Sequence, residues 1–260
     1  MFRKIISTVF VTALLSSFSV QAHHTALPEG MSETQASWLW GFHTIPASIT
    51  VDNSPYWYSY PHTDVSRINN PAWTKVANKQ IRPGAKAPVV LIMHGCSGIA
   101  RGPTPYRLNF MKRGYAVFEP DSFARPERTC NRGTLYKRTE ELEYALKAIR
   151  QLPWVDSDRV VLLGISQGGQ AVAQWDKPGF QSHIILSNNC SGKQPAAPEN
   201  TPVLAVMGEK DPAYFSNSSC KVSRKIGGSE SIVLAGAPHG ISELPETQLA
   251  IENFLEQCCQ

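Results

Sequence analysis

The sequence predicts an α/β fold: a single domain on a mostly parallel central sheet with helices on both faces. Three observations predict it. From Ala87 onward, short aliphatic runs alternate with amphipathic stretches, the pattern of strands joined by crossover helices. The runs are apolar throughout, as strands covered on both faces are. Between one such run and a small-residue run stands Gly164-Ile165-Ser166-Gln167-Gly168, which suits a sharp strand-to-helix corner. No internal repeat or low-complexity linker interrupts the 260 residues.

The elements follow in order. Arg3 and Lys4 precede an apolar stretch at 5–18, and Val20-Gln21-Ala22 places small residues at −3 and −1 of a cleavage site. Residues 1–22 therefore read as an export signal removed after Ala22. The stretch is too short and too rich in serine and threonine for a stable membrane anchor; an uncleaved anchor is the alternative. The remaining 238 residues suffice for one large domain. Residues 23–84 are expected to pack on the domain and residues 85–260 to form its core. Trp38, Trp40, Phe42, Tyr56, Trp57, Tyr58, Tyr60 and Trp73 crowd the first of these segments. Between Trp38 and Trp73, interleaved prolines and asparagines exclude a regular amphipathic helix and leave a strap across the domain, or the lining of an aromatic or acyl cleft. A strand is expected at 47–51.

In the core, strands are expected at 89–93, 115–119, 160–163, 183–186, 203–206 and 231–234. Helices are expected at 106–112, 139–152, from Gly169 through Trp175, and at 246–257. The clearest is 139–152, where Leu142, Ala145, Leu146 and Ile149 stand at i, i+3, i+4 and i+7. Glu140 and Glu141 would complement the dipole of its first turn.

Charge and cysteine content narrow the function classes. The net charge of +4 falls to +2 once Arg3 and Lys4 are removed. No basic run is long enough to suggest nucleic acid or an anionic membrane. All six cysteines lie beyond the export signal, and an even number in an exported chain suggests disulfides. Sequence order favours Cys96 with Cys130 and Cys190 with Cys220, leaving Cys258 and Cys259 over. No CxxC or HxxxH spacing points to a metal; His23 and His24 read as a frayed tail rather than a metal site. No cofactor is expected.

The chemistry centres on Ser166. A strand-to-helix turn exposes its Oγ and needs glycine two residues to either side, because a Cβ there would collide with the neighbouring backbone. The helix N-terminus behind it offers free N–H groups where an oxyanion would form. A serine hydroxyl needs a base to take its proton, and the base needs an anion to orient it. Asp211, just beyond the 203–206 strand, and His239, just beyond the 231–234 strand, supply acid and base in the order Ser, Asp, His. Each falls at the carboxyl end of a separate strand, where active-site loops of parallel sheets gather. Glu209 is the alternative acid. His43 and His62 precede the serine, and His183 opens a strand at the wrong edge. In Met93-His94-Gly95-Cys96-Ser97-Gly98 the glycines let the backbone approach a substrate carbonyl, so the backbone N–H groups of Cys96 and Gln167 are assigned to the oxyanion hole. His94 then reads as a loop residue rather than a second base, and Cys96 as a disulfide or backbone contributor rather than a nucleophile.

Together these residues resemble the α/β-hydrolase superfamily, and more closely its dienelactone-hydrolase-like branch. The resemblance spans roughly residues 85 to 257 and rests on His94-Gly95-Cys96-Ser97-Gly98, Arg113-Gly114-Tyr115-Ala116-Val117, Asp121-Ser122-Phe123, the 164–169 elbow, Asp211 and Pro238-His239-Gly240. It implies a metal-free hydrolase, monomeric or weakly oligomeric, acting through an acyl-enzyme. Dienelactone hydrolases proper carry cysteine at the elbow where this chain has Ser166, which favours a general serine esterase with a small-molecule ester as substrate. A peptidase or amidase is the second reading, and a non-catalytic binding protein on the same scaffold the third. Under the leading reading, activity rises with pH through the usual imidazole range, roughly 6 to 7.

Overall fold

A computed structural model of the chain describes residues 27, 29–59, 80–100, 102, 104–126, 130, 135–213 and 219–259. The expected export signal, His23, His24, Tyr60, His62 and Trp73 lie outside them. Eight strands form one sheet: β1 (Phe42–Ile45), β2 (Tyr56–Ser59), β3 (Ala87–Met93), β4 (Ala116–Glu119), β5 (Val155–Ile165), β6 (Ser182–Leu186), β7 (Val203–Gly208) and β8 (Glu230–Leu234). Their spatial order is β2-β1-β4-β3-β5-β6-β7-β8. The six strands from β4 to β8 run parallel, and β1 joins β4 antiparallel. The helices are α1 (Glu33–Leu39), α2 (Pro105–Lys112), α3 (Leu135–Arg150), α4 (Gln167–Gln174) and α5 (Pro245–Cys258).

Strand residues alternate between two apolar layers, the period of two that a pleated sheet imposes. Val89, Leu91, Met93, Leu162 and Ala205 face a layer that includes Leu142, Ala145, Leu146 and Ile149 of α3 and Ala171 and Val172 of α4. Val90, Ile92, Val161, Leu163 and Val206 face the other, with Phe110 of α2 and Ile251, Phe254 and Leu255 of α5. Burying each large aliphatic side chain contributes roughly 2 kcal/mol. The continuous aliphatic runs are thus what a sheet sandwiched between two helical layers requires.

The segment before Ala87 departs from expectation. Residues 47–51 form no strand: Ala47–Ile49 is a 3₁₀ turn. Pro46 precedes it, and the Thr50 hydroxyl donates to the Ala47 carbonyl at 3.0 Å. The antiparallel pair β1–β2 lies on either side of that turn and extends the sheet. Among the described aromatics of this segment, Trp38, Trp40 and Phe42 are buried. Trp38 stacks on Phe118 of β4 at 5.3 Å between ring centroids, whereas Trp57 is 51% exposed.

In the core, α3 begins four residues before the expected Thr139, so Glu140 and Glu141 do not occupy its first turn. Glu141 is buried and pairs with Arg125 at 3.3 Å, so its partner is a side chain rather than the helix dipole. β6, expected at 183–186 and opened by His183, lies between β5 and β7 and is central rather than marginal. His183 stands near the strand's amino end, away from the loops that follow the strands.

Candidate active site

Ser166 is the residue between β5 and α4, with φ 55° and ψ −114°. The glycines two residues to either side are there for close approach. A Cβ on Gly168 would stand 1.9 Å from the Met93 carbonyl oxygen, and one on Gly164 would stand 2.3 Å from the Gly168 oxygen. Hydrogen bonds fix the corner: the Ser166 N–H donates to the Leu186 carbonyl at 2.9 Å, and its own carbonyl accepts from Gln170 N–H at 3.0 Å and Asn188 Nδ2 at 3.2 Å.

The three residues expected to meet do meet. His239 Nε2 lies 2.9 Å from Ser166 Oγ, and His239 Nδ1 lies 2.7 Å from Asp211 Oδ2. An Nδ1–H donating to the carboxylate leaves the Nε2 lone pair facing the hydroxyl, so an imidazole so placed can take the hydroxyl proton. Asp211 is buried, and its Oδ1 accepts from Ala213 N–H at 2.8 Å. The His239 side chain is 46% exposed. The carbonyl of His239 accepts from the Ser187 hydroxyl at 2.5 Å and from Ile241 N–H at 3.0 Å. Lys210 N–H donates to Ala237 at 2.9 Å, tying the acid-bearing loop to the histidine-bearing one. Glu209, the alternative acid, is exposed and accepts from Gly236 N–H at 2.7 Å.

The segments assigned to the oxyanion hole flank the serine. Gln167 is the first residue of α4, where a helix leaves its N–H groups without intrahelical partners. The loop after β3 lies against Ser166: a Cβ on Gly95 would be 3.1 Å from the Ser166 Cβ. Cys96 follows Gly95 and is bonded to Cys130. Cys190 is bonded to Cys220, as expected, and Cys258, left over in the sequence reading, is bonded to Cys259.

His94 is fully buried and carries no free lone pair toward Ser166. Its Nδ1–H donates to the Gly95 carbonyl at 2.7 Å, and its Nε2 accepts from Ser122 N–H at 3.0 Å. Burial, then the positive charge of Arg138, lowers its pKa to about 3. It stays neutral and anchors the loop. The buried residues around it, Arg138, Glu141, Ser122 and Arg125, were given no place in the site by the sequence. The Ser122 hydroxyl bonds both Glu141 and Arg138; burial raises the Glu141 pKa and lowers that of Arg138 to about 10. Asn188 and Ser187, which hold Ser166 and His239, gave no sequence signal. Among the described residues no cluster of His, Cys, Asp or Glu could hold a metal ion, and no helix is long and apolar enough to cross a membrane.

Solved structures resemble the chain in fold alone. A sugar hydrolase, YeeB, from Lactococcus lactis superposes with a TM-score of 0.51 at 16% identity, over 68% of this chain and 90% of that one. Est1E from Butyrivibrio proteoclasticus gives 0.47 at 18% identity over 68% and 90%. A hyperthermophilic esterase from Pyrobaculum calidifontis gives 0.46 at 13% identity over 69% and 80%. No curated protein matches the chain. Residues 76–240, which contain the elbow, Asp211 and His239, match one family along their whole length, and the chain accordingly belongs to the dienelactone hydrolase family.

Proposed function

We propose that the protein is a serine hydrolase of carboxylic esters, with Ser166 as nucleophile, His239 as base and Asp211 as the acid that orients it. The observation that carries the reading is the unbroken chain of two hydrogen bonds, 2.9 Å and 2.7 Å, from Ser166 Oγ through His239 to Asp211. In this reading Ser166 Oγ attacks the ester carbonyl carbon as its proton passes to His239 Nε2. The carbonyl oxygen takes up negative charge between the backbone N–H groups of Cys96 and Gln167. Collapse of the tetrahedral species breaks the bond to the alkoxide, which leaves with the proton held by His239. Water, deprotonated by the same imidazole, then releases the acyl group as a carboxylic acid. The disulfides Cys96–Cys130 and Cys190–Cys220 support an oxidising, exported location.

Ser166→Ala tests the reading. Its kcat on p-nitrophenyl esters is expected to fall by about three orders of magnitude or more, with the melting temperature retained, and labelling by a fluorophosphonate probe is expected to vanish. Undiminished hydrolysis by the folded variant would overturn the assignment. Peptide anilides cleaved faster than esters would replace ester hydrolysis with amide hydrolysis at the same three residues.

A further inference from the structure

Arg138 is fully buried in α3, and its hydrogen bonds go to an amide oxygen, a hydroxyl and an imidazole rather than to a carboxylate. Nε and Nη2 donate to Gln167 Oε1 at 3.3 Å and 3.2 Å. Nη1 donates to the Ser122 hydroxyl and stands 3.4 Å from His94 Nε2. Ser122 in turn donates its N–H to that same ring nitrogen. One guanidinium therefore touches both segments that flank Ser166: the start of α4 at Gln167, and the loop after β3 at His94. The disulfide makes a second, non-hydrogen-bonded contact between the same two segments. Cys96 lies on the loop after β3, and its partner Cys130 brings a sulfur within 3.2 Å of the same Gln167 oxygen.

We propose that Arg138 and the Cys96–Cys130 disulfide are positioning groups that hold the backbone N–H groups of Cys96 and Gln167 at a fixed separation for the reaction's oxyanion. The proposal rests on the serine-hydrolase reading above. Its physical basis is that preorganised donors stabilise developing charge only when their positions are held before the charge appears. Cys96 and Gln167 stand on segments 71 positions apart in sequence, so their spacing needs a tie between the segments. The planar fork of an arginine can bond both at once; a lysine ammonium, a point charge on a flexible stem, cannot reproduce that geometry. Neither Arg138 nor the sulfurs need touch substrate.

The test compares wild type, Arg138→Lys and the double variant Cys96→Ser/Cys130→Ser on a p-nitrophenyl ester, well below the melting temperature of each. The expected result is a kcat lowered by about 10- to 100-fold in both variants, with KM changed by less than about threefold. Affinity for a trifluoromethyl ketone, whose adduct oxygen is an oxyanion, should fall by the same factor as kcat/KM. A merely structural role would not couple those two numbers. Cys96 is exposed, so dithiothreitol should bring wild-type kcat down to that of the double variant and leave the double variant, which still carries the Cys190–Cys220 and Cys258–Cys259 bonds, unchanged. If Arg138→Lys does not fold, the double variant and the reductant still decide. Unchanged kcat after loss of the disulfide, verified by mass, or lower kcat with unaltered ketone affinity, would overturn the proposal while wild type remained active. A wild type that neither hydrolyses esters nor takes a fluorophosphonate label would instead overturn the serine-hydrolase reading, and the positioning role with it.

Discussion

At the scale of single residues, the corner around Ser166 is held in a conformation that its own chemistry disfavours. A non-glycine residue at φ 55° and ψ −114° costs about 1–3 kcal/mol. The surroundings offset that strain through the bonds from Ser166 to Leu186, Gln170 and Asn188. Gly168 is the least replaceable neighbour, because a methyl group there would meet the backbone of β3 rather than a side chain that could turn away. Gly168→Ala is expected to lose several kcal/mol of stability or fail to fold, as chemical denaturation would show. The contrast is Gly102, where no atom of the described residues lies within 4 Å of an added Cβ and alanine should be accommodated. A Gly168→Ala variant as stable as wild type would mean that the strand-to-helix corner can open.

At the scale of elements, what the sequence made readable depended on how local the determining contacts are. The six parallel strands were legible because burial on both faces demands uninterrupted aliphatic runs, and Val89 to Met93 or Val203 to Val206 can be little else. The apolar stripe of α3 was legible for the same reason. Its charged members were not legible as buried partners, although Arg138 stands four residues before Leu142, and Glu141, expected only to complement the helix dipole, four before Ala145. A charge on a buried stripe is a visible signal, but its partners Gln167, Ser122 and Arg125 come from other elements. The capping box that starts α1, Ser32 with Gln35, is an equally local signal, set just before the aromatic crowding that follows. β1 and β2 were obscure because each has four residues, and β1 mixes His43 and Thr44 with its apolar pair. Of the candidate site, the order Ser166, Asp211, His239 was readable from strand ends and glycines. Asn188 and Ser187 were not, since their roles come from where β6 ends in space.

At the scale of the whole molecule, three buried histidines couple the fold to acidity. Burial lowers the pKa of His43 to about 4 and those of His94 and His183 to about 3. As pH falls below about 6.5, the unfolded chain takes up protons that the folded chain refuses, so stability declines toward those lower values. Each histidine then costs the fold roughly 2 kcal/mol by about pH 5. Glu119 and Glu141, both raised by burial, act with the opposite sign: their contribution is present at low pH and is lost as pH rises. His183 isolates the histidine effect, because neither of its ring nitrogens has a hydrogen-bond partner among the described residues. His183→Leu should narrow the difference in melting temperature between pH 7 and pH 5, read by calorimetry. An unaltered difference would mean that His183 does not contribute to acid sensitivity. The pairing of β1 with β4 carries a practical consequence. A fragment excised at residue 85 would strip the Trp38 ring from Phe118, bare the lateral edge of β4 and leave an adhesive flank. Such a truncate is expected to precipitate on expression more readily than the intact polypeptide.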